Sequence, residues 1–400
     1  MHKQLIFLLL ITQLWATTAS TANADTAITV GKLHTLSSEV LAEERDLLVY
    51  LPNGYDAQSK QSYPLLLVLD GRMNFKMTAS TIHSLAEGGA IPRMIVVGVA
   101  NTDRWRDLTP VPGFGIAGTG GGDDFVAFVK DELMPWIDQH YRLNGFKVIS
   151  GHSLGGLTTL HLMNRAPELF DAYVSLSPSL EWGEGFMVNR HREQYGEQKP
   201  LDKMLYLAIA DEQMERPYYD QLVSVLRENA PPGLAWNSEL FENSDDHMSI
   251  RVSGALSAIR WVFNDWRLTS AQVYQRTDQQ VNEHYANAAN RFKQPRKWGL
   301  MDMTNAAYWG LYKPETAERA MHLFNLAVQR WPESAYAWSC LGEGLERTGK
   351  PNEALAIMRK ALAMAKAAEH QDVPYFQGMV DRVAAHLAKS ESATPVGGAQ

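Results

Sequence analysis

From about residue 27 to residue 267 the chain alternates between short apolar runs and longer segments whose apolar residues recur at helical spacing. The runs Leu47–Leu51, Leu65–Leu69, Met94–Val99, Val148–Ile149, Tyr173–Leu176 and Leu205–Ala210 read as buried strands, with Leu234–Phe241 as a further strand-like run. Between them, Phe125, Phe128, Val129, Leu133, Trp136 and Ile137 mark the clearest helix, predicted over Asp124–Tyr141. Strands alternating with helices predict an α/β fold with a mostly parallel central sheet and flanking helices.

The pattern changes after Trp266. Residues 271–300 read as a polar, helical linker. Beyond it Ala320, Phe324 and Ala327 return 34 positions later as Ala354, Met358 and Ala361. Trp338, Leu341, Gly342, Leu345, Gly349 and Ala354 stand in tetratricopeptide order, so residues 301–388 read as an all-α, tetratricopeptide-like region, with Tyr375–Leu387 capping the stack. Residues 389–400 read as a disordered tail. The catalytic portion is then 25–270.

At the amino end, Met1-His2-Lys3 leads into the apolar block Leu5–Trp15 and then Ala22-Asn23-Ala24. A basic start, a short apolar stretch and an A-x-A site predict a signal peptide over 1–24, hence export to a periplasm or the medium without stable membrane insertion. Net charge is −8 with no basic stripe, which argues against nucleic-acid binding. The single cysteine, Cys340, excludes an intrachain disulfide and sits in a helical apolar pattern that predicts a packed core residue.

The chemistry concentrates at Gly151-His152-Ser153-Leu154-Gly155, a G-x-S-x-G between a predicted strand and a predicted helix. A sharp strand-to-helix turn there exposes Ser153 as a nucleophile and aims helix amides at developing negative charge. A serine hydroxyl needs a base, which in this fold comes last in chain order. His247, in the polar loop 242–249, fits best; His161 and His191 fit less well. The acid is expected just after Leu205–Ala210, at Glu212 ahead of Asp211, with Glu215 third. Its task is to hold the histidine tautomer and stabilise the imidazolium. The Leu154 and Arg72 amides are the expected oxyanion donors, with Gly71 giving the backbone room.

Together these residues resemble the esterase D-like family of α/β-hydrolases, which includes enterochelin and salmochelin trilactone esterases. The matching stretches are Leu69-Asp70-Gly71, Val97 to Pro110, Gly151 to Gly156, Ser177 to Trp182, and His247-Met248-Ser249, so the resemblance covers about residues 27–267. It is closest to periplasmic siderophore-esterase-like hydrolases. It implies Ser153 as nucleophile, His247 as base and backbone donors at Leu154 and Arg72. It leaves the acid open, since some relatives work with a Ser-His dyad. Glu181 stands where the family commonly has an aromatic residue.

Arg104, Arg106 and Trp182 are the expected substrate contacts, arginine for an anionic or catecholate group and Trp182 for a flat ring. The competing expectation is that Arg104 or Arg106 pairs with Asp107 and braces its loop. No cofactor is implied, and no His/Asp/Glu cluster has metal-ligand spacing. The leading reading is a serine carboxylesterase with a small-molecule ester or lactone substrate. The alternatives are acyl transfer to an alcohol or sugar from the same site, and an interaction protein whose helical repeats bind a protein or peptide.

Overall fold

The computed structural model describes residues 28–56, 59–312 and 314–392. The expected leader lies outside the described residues, as do residues 393–400 of the expected tail. Eight strands form one sheet in the order β1-β2-β4-β3-β5-β6-β7-β8. They are β1 (Lys32–Ser38), β2 (Glu43–Tyr50), β3 (Tyr63–Val68), β4 (Ile95–Val99), β5 (Leu143–His152), β6 (Ala172–Leu176), β7 (Met204–Ala210) and β8 (Ala235–Phe241). β1 and β2 are antiparallel additions at one edge; β4-β3-β5-β6-β7-β8 run parallel. This is the α/β-hydrolase arrangement that the alternating pattern predicts.

Both faces of the sheet are covered, which is why the central strands read as unbroken apolar runs. In β3 the alternation of side chains sends Leu65 and Leu67 into one core and Leu66 and Val68 into the other. The helices of this portion are α1 (Gly71–Glu87), α2 (Arg104–Asp107), α3 (Gly122–Phe128), α4 (Met134–His140), α5 (Leu154–Arg165), α6 (Phe186–Gly196), α7 (Arg216–Asn229) and α8 (Ile250–Val262). The helix predicted over 124–141 is split: a π-helical turn, Val129–Leu133, joins α3 to α4. Pro135 supplies the reason. It has no N–H, and its ring crowds the carbonyl four residues back, so the turn widens to accommodate it.

Seven helices follow: α9 (Ser270–Tyr274), α10 (Asp278–Arg291), α11 (Leu300–Leu311), α12 (Ala317–Arg330), α13 (Ala335–Arg347), α14 (Pro351–Ala367) and α15 (Val373–Ser392). The residues that recur at intervals of 34, Ala320, Phe324 and Ala327 with Ala354, Met358 and Ala361, are all buried in one helical core, and so is Cys340. Two boundaries differ from the expectation. Residues 271–300 are not a bare linker: Val273, Val281, Tyr285 and Trp298 belong to the helical core, while Ala288 and Phe292 enter the hydrolase core. Phe292 packs against Phe146 and Phe263, with centroids 5.2 and 5.1 Å away. The last helix also continues to Ser392, past the predicted end at 388.

Sheet order places the site. The chain moves outward from β3 to β4, then returns to β5 on the other side of β3, so the strand order reverses between β3 and β5. Loops at the carboxyl ends of strands diverge at such a reversal and open a crevice. Residues 69–72 leave β3 there, and Ser153 leaves β5.

Candidate active site

β5 ends at His152, which pairs with Leu176 of β6, and α5 begins at Leu154. The residue between, Ser153, has φ 60° and ψ −123°. This is a sparsely populated conformation for a residue with a side chain, and costs on the order of 1–3 kcal/mol. The surroundings hold it: the Ser153 amide donates to Leu176 O at 3.0 Å, and Ser153 O accepts from Leu157 N–H at 3.0 Å. A Cβ on Gly151 would stand 2.1 Å from Gly155 O, so only glycine permits the strand to meet the helix this closely. The turn leaves the Ser153 hydroxyl at the crevice, 3.4 Å from the Ser179 hydroxyl.

The loops after β7 and β8 bring Glu212 to His247. His247 Nδ1 lies 3.1 Å from Glu212 Oε2, and Glu212 is almost fully buried. Ser177, just past β6, donates to the other oxygen, Oε1. Burial raises the Glu212 carboxyl, but the hydrogen bonds from His247 and Ser177 outweigh it and hold the group below its ordinary range. The hydrogen bond to Glu212 raises His247 against the opposing effect of burial, and the charges of Glu212, Glu215 and Glu181 add to it. With Nδ1 committed to Glu212, Nε2 is the nitrogen left to exchange a proton. It makes no hydrogen bond to a described residue, and the Ser153 hydroxyl lies instead beside that of Ser179.

The alternative acids do not share this arrangement. Asp211 is exposed, and its amide reaches Asp245 O at 3.4 Å, tying the two loops together. Glu215 lies at the start of α7. The lesser histidines are elsewhere: His161 pairs with Asp123 at 2.9 Å, and His191 is fully buried, its desolvation pushing it down to about 4.

The sequence gives no hint of a tie between the nucleophile turn and the base. His152 is buried, its ring 4.5 Å from that of His247, and its Nε2–H donates to the His247 carbonyl. Burial and the neighbouring His247 lower His152 to about 4, so it stays a neutral donor. The residue immediately before Ser153 thereby anchors the loop that presents the imidazole.

Leu154 and Arg72 are both first-turn residues, of α5 and α1, whose amides have no partner four residues back. The two helix starts flank the crevice at the strand reversal. Gly71 is required there, because a Cβ would lie 2.7 Å from the Gly98 carbonyl carbon. Preceding it, Asp70 is buried and takes a left-handed φ of 53°.

Each of the expected substrate contacts has a partner within the protein. Arg104 grips buried Asp70, with Nε to Oδ1 at 2.7 Å and Nη2 to Oδ2 at 3.1 Å, and Asn101 joins them. Arg106 binds Asp107 at 2.7 Å and Glu43 at 2.9 Å. Both acids also bind Arg45, which is fully buried. These guanidinium groups brace loops rather than stand free for an anion. Trp182 is 2 % exposed and donates to Val111 O at 2.7 Å, because Trp105 and Phe114 pack over it with centroids 5.8 and 5.0 Å away. The flat apolar surface of this region belongs to Trp105 and Phe114, both exposed.

Among the described residues no group of three or more His, Cys, Asp or Glu side chains is arranged to hold a metal ion, and no helix is long and apolar enough to cross a membrane.

Comparison with known proteins finds esterases. Residues 38–220 match the family described as "Putative esterase". Ferri-bacillibactin esterase BesA of Bacillus subtilis is 24% identical over 207 residues, which are 46% of this chain and 72% of that protein. A siderophore enterobactin esterase of Emericella nidulans is 30% identical over 162 residues, covering 34% of this chain and 52% of the relative. Among solved structures, an IroE-like serine hydrolase from Shewanella oneidensis aligns with a TM-score of 0.61 at 28% identity, over 75% of this chain and 99% of that one.

Proposed function

We propose that this chain, a serine hydrolase acting on esters whose residues 38–220 belong to the esterase family just described, cleaves a siderophore-type ester or lactone through Ser153, His247 and Glu212. The observation that carries the reading is a strained Ser153 at the strand reversal, on the same sheet edge as a histidine whose Nδ1 is held by a buried carboxylate. Ser153 Oγ attacks the ester carbonyl as His247 Nε2 takes its proton. The tetrahedral oxyanion sits between the Leu154 and Arg72 amides, which are already oriented by their helix starts. The carbonyl re-forms, the alcohol leaves with the proton from His247, and an acyl-Ser153 ester remains. Water, deprotonated by His247, then releases the acid. Glu212 stays ionised throughout and stabilises the imidazolium.

The relatives' named substrates support the siderophore-type assignment, and the basic–apolar–A-x-A start of the chain supports export. The test compares wild type with Ser153→Ala on p-nitrophenyl esters of increasing chain length and on a siderophore trilactone. Loss of turnover, and of fluorophosphonate labelling, in the variant is expected. Labelling that survives Ser153→Ala overturns the assignment of the nucleophile.

A further inference from the structure

The bracing arginines leave an uncompensated charge of the opposite sign at this site. Glu181 lies two residues after Ser179, in the loop that packs on the nucleophile turn: Ser179 N–H donates to Ser153 O at 3.3 Å, and Ser179 Oγ meets Ser153 Oγ at 3.4 Å. The Glu181 side chain is half-buried, and its Oε2 is enclosed without any hydrogen-bond partner. No described cation pairs with it. The charged groups that act on it are Glu215 and Glu212, from the β7–α7 segment, and His247, from the loop after β8. Of these, Glu212 and His247 are already committed to each other.

We propose that Glu181 sets the charge selectivity of the catalytic crevice, so that the site takes esters that are neutral or cationic near the scissile bond and turns away those carrying a carboxylate or other anion there. The proposal rests on the Ser153 esterase reading and narrows its substrate class. For a siderophore-type lactone, it favours an uncharged form over a multiply anionic metal complex. Glu181 is half-buried close enough to the Glu212–His247 pair for their charges to act on it, so when ionised it repels an anionic group bound beside that pair and favours a neutral or cationic one. Burial, with the carboxylates of Glu215 and Glu212, raises the Glu181 carboxyl to about 7, while a hydrogen bond from its own backbone and the nearby His247 act in the other direction. Rejection of anions therefore strengthens as pH rises through neutrality and Glu181 ionises. In its neutral form the same carboxyl can donate a hydrogen bond to substrate.

The measurement is the ratio of kcat/KM for p-nitrophenyl hexanoate to that for mono-p-nitrophenyl adipate, from pH 6 to pH 8.5, with product quantified by chromatography and the uncatalysed rate subtracted. The two esters are similar in length and differ in a terminal carboxylate that stays charged over the range. Because His247 serves both, its titration cancels in the ratio. In wild type the ratio rises about five- to twentyfold with pH, the effect of one added negative charge in a half-open site. In Glu181→Gln, which keeps the shape and the hydrogen-bonding capacity, it stays flat and near the wild-type value at low pH. If neither ester turns over, the same ratio is read from acylation rates with a neutral and a carboxylate-bearing fluorophosphonate. A flat wild-type ratio, or a Glu181→Gln ratio that follows wild type, overturns the proposal while leaving Ser153 as nucleophile. Turnover that persists in Ser153→Ala instead overturns the reading beneath it.

Discussion

Glu212→Gln isolates the role of the acid, because glutamine keeps the volume and an acceptor oxygen but removes the charge. In the native site Glu212 Oε2 lies 3.1 Å from His247 Nδ1, Oε1 accepts from Ser177, and the side chain is 6 % exposed. A hydrogen bond to a buried charged group contributes about 1.5–3 kcal/mol. His247 is about one-third exposed, so solvent screens the pair and the lower part of that range applies, about 1.5–2 kcal/mol. The imidazolium that forms on proton transfer loses that stabilisation, so kcat falls about 10- to 30-fold with KM little changed. The pH profile moves as well. Glu212 raises His247, and the base works only when neutral, so in wild type kcat/KM climbs with pH through that elevated value. Removing the carboxylate moves the climb to lower pH. Steady-state kinetics on a short-chain p-nitrophenyl ester across the acid limb check both effects, with Asp211→Asn as the comparison. An unmoved limb with unchanged kcat in Glu212→Gln, or an equal loss in Asp211→Asn, would refute the reasoning.

Other substitutions test the remaining assignments. His152→Ala frees the loop that carries His247, so kcat should fall about tenfold at similar KM, and His152→Gln, which can still donate, should recover part of it; equal loss in both would refute anchoring through the hydrogen bond. Asp107→Ala leaves buried Arg45 and its neighbour Arg106 short of an acid, and urea unfolding should register a loss of about 3–5 kcal/mol. Trp182→Ala should cost about 3–5 kcal/mol of stability without a selective loss on aromatic substrates, which a comparison of phenyl and alkyl esters would reveal. Phe292→Ala should lower the melting temperature of the hydrolase portion as well as of the helices, since Phe292 packs on Phe146 and Phe263; calorimetry showing only a helical transition shifted would contradict that coupling.

Legibility in the sequence followed the range of each interaction. Seven of the eight strands could be read as apolar or strand-like runs, most plainly the central parallel ones that are buried on both faces. β1 could not: as an edge strand it buries little, and its composition carries almost no signal. The strand-turn-helix around Ser153 was readable because the glycines are demanded locally, by a backbone approach within a few residues. The split at Val129–Leu133 was foreshadowed by Pro135, yet helical periodicity across it concealed the widened turn.

The partners of charged and aromatic side chains lay beyond that range. Arg104, Arg106 and Trp182 carry chemistry suited to substrate, and only the packed chain shows that Asp70, Glu43, Asp107 and Val111 occupy them. The same holds for the acid: Asp211 and Glu212 are adjacent in sequence, and what separates them is which side chain the loop turns toward His247. Sequence alone determined the α/β architecture and the strand-turn-helix at Ser153, because hydrophobic periodicity and local backbone sterics act over a few residues. Tertiary structure alone decided which acid meets His247, that His152 ties the His247 loop to the Ser153 turn, and that one oxygen of Glu181 is enclosed without a donor, because those depend on contacts between loops that the sheet brings together from positions far apart in the chain.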